Sequence, residues 1–255
     1  MANWSDPRTS ESPFATAGAR AAAHDAGLRS YMLSVYNYML SGVLLTGIVA
    51  LAFGKIASLQ ALLFQVVETS RGLTLQPTML GWVAMLSPLA IVFAMSFGQS
   101  RMSEGTLKVL FFAYAGLLGA SLSTIFTTYT DMSIAQVFFG TAAGFGALSL
   151  YGYTTKKDLS GFGTFLIIGL VGLLVASLVN IFLQSSFMSL VISAVGVLIF
   201  AGLTAYDTQK IKSIYSYVAG TREQGKVAIM GALNLYLDFI NMFLFMLRLF
   251  GSSRD

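Results

Sequence analysis

Residues 159 to 206 run for 48 positions without a single Asp, Glu, Lys or Arg. As one helix this stretch would be roughly 72 Å long at 1.5 Å per residue. A bilayer hydrocarbon layer is only about 30 Å thick. The run must therefore double back, and the polar Gln184-Ser185-Ser186 marks the place. It splits the stretch into two spans, Gly161–Leu183 and Phe187–Asp207. Further runs of similar length read as spans at Tyr31–Phe53, Met79–Phe97, Val109–Tyr129, Ser133–Tyr153 and Val227–Leu247. Pro88 is expected to kink the second of these. Seven spans occupy residues 30–255 and leave no room for a separate soluble domain. The expected fold is an all-α membrane protein.

Composition agrees. Only 10% of residues are charged and mean hydropathy is +0.74, against about 25% charged in soluble domains. The net charge of +4 comes from basic residues scattered between apolar runs, which argues against a nucleic-acid partner and for membrane loops. There is no cysteine, hence no disulfide frame and no thiol nucleophile. The single histidine, His24, lies near the N-terminus, which removes His-based metal centres and a Ser-His-Asp triad. Residues 1–29 are polar and rich in Ala, Ser and Arg, and read as a disordered cytoplasmic tail without a signal peptide. Within it, Ala15–Ala26 has the composition of a loose surface helix.

Basic residues set the expected orientation. With a cytoplasmic N-terminus, eleven of the fifteen Lys and Arg fall on the inside, among them Arg29, Arg101, Lys156, Lys210 and Lys226. Lys55, Arg71, Arg248 and Arg254 fall outside, and the C-terminus is then external.

Two acidic residues, Asp207 and Asp238, sit within otherwise uncharged stretches. A charged side chain at membrane depth costs several kcal/mol, so such residues face an interior and mark function. The midpoint between them is near Arg222, in a short polar segment. If that segment is the turn of an antiparallel helix pair, the carboxylates reach similar depths. At 100° per residue Gly231, Asn234, Asp238, Asn241, Phe245 and Arg248 share one face of the last helix. Asn234 and Asn241 are a supporting polar face. They also fit a hydrogen-bonded seam between helices, which explains the asparagines better than the carboxylate. Asp207 alone also fits an interfacial acid paired with Lys210. Two close carboxylates titrate as a unit, and the same oxygens suit a hard cation such as calcium. Gly140-xxx-Gly144 and the glycines of the fifth span fit tight helix packing or a flexible gate.

The segment Gly231-Ala232-Leu233-Asn234-Leu235-Tyr236-Leu237-Asp238-Phe239-Ile240-Asn241-Met242-Phe243, followed by Leu247-Arg248-Leu249-Phe250-Gly251, closely resembles the closing signature of the Bax inhibitor family. This is also called the transmembrane Bax-inhibitor-motif family. Ala205-Tyr206-Asp207-Thr208-Gln209-Lys210-Ile211 resembles its second hallmark. The Ala- and Ser-rich tail is similar to that of a bacterial member. The resemblance implies six helices surrounding a central C-terminal seventh, with Asp207 and Asp238 as a pH-sensing pair. It implies a slow, pH-dependent calcium leak through the inner membrane and no enzyme activity. Calcium would be a transported or transiently bound ion at Asp207 and Asp238, and no cofactor is expected. It also implies a basic latch from the cytoplasmic end of the second span onto Asp207. Arg101 matches by placement, and equally fits an ordinary positive-inside arginine. The competing reading is a membrane adaptor that modulates a membrane-bound protease or a stress or cell-death partner without conducting ions. An intramembrane protease is disfavoured, because the aspartates lack the expected local motifs.

Overall fold

The computed structural model describes residues 13–69 and 72–254. Its helices are α1 (Pro13–Lys55), α2 (Ala57–Leu63), α3 (Met79–Gly98), α4 (Glu104–Leu122), α5 (Ile125–Thr128), α6 (Asp131–Thr154), α7 (Ser160–Leu183), α8 (Ser186–Val218) and α9 (Gln224–Phe250). Seven of these segments are long and apolar enough to cross a membrane. The expected break in the 48-residue run is where the sequence placed it. Leu183 ends α7, Gln184 takes a left-handed conformation with φ 50°, and the Ser185 hydroxyl accepts from the Met188 N–H to start α8. Asn180 ties the turn by accepting from the Ser185 N–H and donating to Ser189. Thr78, Ser103 and Thr130 cap α3, α4 and α6 in the same way, satisfying N–H groups that the first turn leaves unpaired.

Several boundaries differ from the sequence expectation. Residues 13–29 are helical, as the start of α1, and include the Ala15–Ala26 stretch expected as a surface helix. Their Ala-rich composition favours helix. Residues 1–12 of the expected disordered tail lie outside the described residues. The third span runs Glu104–Thr128, close to the expected end, but as two helices: α4 stops at Leu122 and α5 resumes at Ile125, because the Ser123 hydroxyl donates to the Ala120 carbonyl and Thr127 and Thr128 donate to that of Thr124. The sixth does not end at Asp207. It continues to Val218, since no breaker intervenes before Gly220, whose φ of 73° suits a residue without a Cβ. Pro88 lies inside an unbroken α3. Between α2 and α3 the chain also forms an antiparallel hairpin, β1 (Phe64–Thr69) with β2 (Gly72–Pro77), pairing Val66 with Leu75.

α9 is the most buried of the seven spans. Two-thirds of its most apolar window (67%) is buried, against 11–39% for the others. Its principal neighbours are α8, α1, α6 and α4, whereas α3 packs mainly on α4 and α7 on α8. The core around it is aromatic. The Tyr236 ring meets Phe111 and Tyr114 edge-on at 5.9 and 5.6 Å, and Phe239 meets Phe138 and Phe145 at 5.6 and 5.5 Å. In a bilayer, lipid is as apolar as leucine, so such close packing and a few interhelical hydrogen bonds hold the bundle.

Candidate functional site

The α8–α9 turn spans residues 219–223 and contains the midpoint near Arg222. Counted from it, Asp207 lies about 16 Å along α8 and Asp238 about 21 Å along α9, at 1.5 Å per residue. The two helices pack along their length, and the two carboxyl groups lie close enough to interact directly. Asp238 is 4% exposed, and its Oδ2 has no hydrogen-bond partner among the described residues. Asp207 is half-buried. Two facing carboxylates repel unless a proton or a cation lies between them. A buried polar atom without a partner is an exception in a folded core.

The supporting residues divide. Asn234, one turn before Asp238, lines a cavity of about 340 Å³ with Tyr31, Ser96, Gln99 and Lys210. Ile211, Ile214, Val227 and Met230 complete its walls, so a cleft of mixed character on the side of the α8–α9 turn reaches to within one turn of Asp238 along α9. Asn241 points its amide back to the Leu237 carbonyl at 2.8 Å, a bond within its own helix. It does not extend the site, and the asparagine seam is not formed there. Arg101 lies exposed in the turn between α3 and α4, its backbone N–H donating to the Gly98 carbonyl. Among the described residues it makes no ion pair with Asp207. The cation beside Asp207 is Lys210, one turn on, whose Nζ lies 5.8 Å over the Tyr206 ring. The shared face also carries packing groups: Gly231 receives Ile211, and Phe245 covers Gly196 and stacks on Phe200 at 5.9 Å.

Sequence reasoning missed a second polar core group. The Tyr236 hydroxyl is 2.6 Å from the Thr46 hydroxyl, which donates to the Ala115 carbonyl at 2.8 Å. This chain joins α9, α1 and α4. An uncharged Thr and Tyr in apolar runs carry no cost that would flag them. Beside Asp207, the next residue, Thr208, is fully buried and reaches Ser149 of α6 at 3.5 Å. Gln209 closes the α6–α7 turn, accepting from the Leu159 N–H and donating to the Lys157 carbonyl. These contacts seat the turn of α8 that carries Asp207.

Comparison with known proteins shows the family. The family described as Inhibitor of apoptosis-promoting Bax1 matches residues 28–255. An uncharacterized protein of Rickettsia prowazekii (strain Madrid E) is 47% identical over 232 residues, covering 91% of this chain and 93% of the relative. The inner membrane protein YbhL of Escherichia coli (strain K12) is 45% identical over 231 residues, covering 90% and 94%.

Proposed function

Because the chain belongs to the Bax inhibitor family, we propose that it is a pH-responsive cation leak of a bacterial inner membrane, with calcium as the favoured ion. The observation that carries this reading is the meeting of Asp207 and Asp238 in the core, with one Asp238 oxygen lacking a donor. A proton shared by the pair holds α8 and α9 together at this depth. Its loss leaves two like charges in contact, and separation or cation entry relieves them. Two carboxylates offer fewer oxygens than the six to eight that calcium prefers, which suits transit rather than storage. The cleft at Asn234 supports access to the pair from the face of the α8–α9 turn. The charge bias of the loops supports a cytoplasmic N-terminus and an external C-terminus. Arg101 acts as a latch only in a second conformation that brings the α3–α4 turn to Asp207.

Calcium flux into liposomes across a pH series tests the proposal. Asp207→Asn and Asp238→Asn should each shift the pH midpoint, and the double variant should shift it by less than the sum. Arg101→Ala should raise the basal leak if the latch forms. A strictly additive double variant would separate the two sites. Flux present but unchanged in all three aspartate variants would remove the pair from gating, and no flux above protein-free liposomes at any pH would leave the non-conducting adaptor as the reading.

A further inference from the structure

α1 and α6 both pack on α9 rather than on each other, which leaves a slot between them with α9 as its floor. Two apolar cavities lie end to end in this slot, of about 620 and 390 Å³, and Phe239 lines both. The larger follows α1 from Arg29 to Leu40, about 16 Å of helix at 1.5 Å per residue. That is half of a hydrocarbon layer of about 30 Å, the depth of a single leaflet. The α6 wall is cut back at Gly146, where a Cβ would meet no atom within 4 Å.

The mouth of this cavity is basic. Arg29 lies exposed on the α1 lip. Tyr153 forms the α6 lip, and Lys212 sits behind it, donating to the Tyr153 carbonyl at 2.7 Å with its amine 4.8 Å over the ring. No Asp or Glu lines the cavity. Asp25, one turn before Arg29, lies 3.9 Å from His24. Apart from Arg29, Tyr36, Ser149 and Tyr153 the lining is apolar, and an apolar wall offers water few partners.

We propose that the α1/α6 slot is a lipid site, which seats one acyl chain of an anionic phospholipid and holds its phosphate at Arg29. The occupant comes from the leaflet on the side of the N-terminus. Length matches a leaflet, the walls match a hydrocarbon chain, and the charge at the mouth matches a phosphate. Basic pockets between membrane helices recognise anionic head groups by the same electrostatics.

Native mass spectrometry of the purified full chain, incubated with phosphatidylglycerol or phosphatidylcholine, tests this without reference to ion flux. The unaltered protein should retain phosphatidylglycerol over phosphatidylcholine by roughly fivefold for each basic residue engaged. Gly146→Leu fills the slot and should lower retention of both lipids, with an unchanged thermal unfolding midpoint. Leu33→Trp, on the exposed α1 lip, is the second plug should Gly146→Leu fail to fold. Arg29→Gln should abolish the preference while keeping the chain bound. Equal retention of the two lipids by the unaltered protein overturns the proposal, as does undiminished retention in both plugged variants. If the slot instead receives a helix of a second copy, the plugs would convert a dimer to a monomer with lipid retention unchanged, and the proposal fails.

Discussion

Thr46 has one hydroxyl hydrogen, and the Ala115 carbonyl takes it at 2.8 Å. Tyr236 must therefore be the donor in its 2.6 Å contact with Thr46. Removing the Tyr236 hydroxyl loses one bond, while removing that of Thr46 leaves a buried phenol without an acceptor. Tyr236→Phe should cost about 0.5–1.5 kcal/mol and Thr46→Val about 1–3 kcal/mol of stability. The double variant should cost less than the sum, because the partners are lost together. Thermal unfolding of the four proteins in one detergent checks this, and additivity would mean that the hydroxyls act independently. Asp238 was legible in the sequence because a carboxylate in an apolar run is costly wherever it points. Tyr236, two residues earlier, was silent, since a tyrosine can face lipid, interface or core.

The helix pair α6/α8 shows how little of an element's role its own residues reveal. A Cβ at Gly152 would collide with the backbone of Ala205, including its carbonyl. α6 and α8 therefore touch backbone to backbone two residues before Asp207. Gly152 carries no special pattern in the sequence; the nearby Gly140-xxx-Gly144 does, and a Cβ there meets open space. The glycine motif read as helix packing thus lies on an open face of α6, and the unremarked glycine makes the contact. Gly152→Ala must push the helices apart, and overpacking of this kind costs about 1–3 kcal/mol. Its unfolding midpoint should fall, whereas that of Gly144→Ala should hold or rise, as alanine favours helix. A Gly152→Ala protein as stable as the parent would refute the close approach.

Across the whole molecule, seven candidate spans put the described ends of the chain on opposite faces if each one crosses the bilayer. On the face of the C-terminus the ends of three helices are tied. Asp131 at the start of α6 accepts from Lys55 at 2.6 Å and from Arg254 at 2.6 Å, and the Thr130 N–H donates to the Ser252 carbonyl. The pairs are exposed and contribute little energy, but they place the C-terminal residues against the α5–α6 turn. The chain has no cysteine, so single cysteines at Ser30 and Ser252 can be labelled without background. A membrane-impermeant thiol reagent applied to right-side-out vesicles should modify Ser252→Cys and spare Ser30→Cys. Labelling of both from the same side would remove one crossing from the count.

Charge-free run length determined the number of spans and the α7–α8 break, because no alternative satisfies 48 backbone units in a layer about 30 Å thick. The spacing of Asp207 and Asp238 about a polar turn determined that they would lie at similar depth, since a short turn forces an antiparallel pair. Which faces met was decided only in three dimensions. Helix–helix contact in lipid depends on shape, not on hydrophobicity, and shape belongs to pairs of helices rather than to any one of them. So Asn241 turned to its own backbone, Arg101 remained apart from Asp207, and the α1/α6 slot opened where no residue announced it.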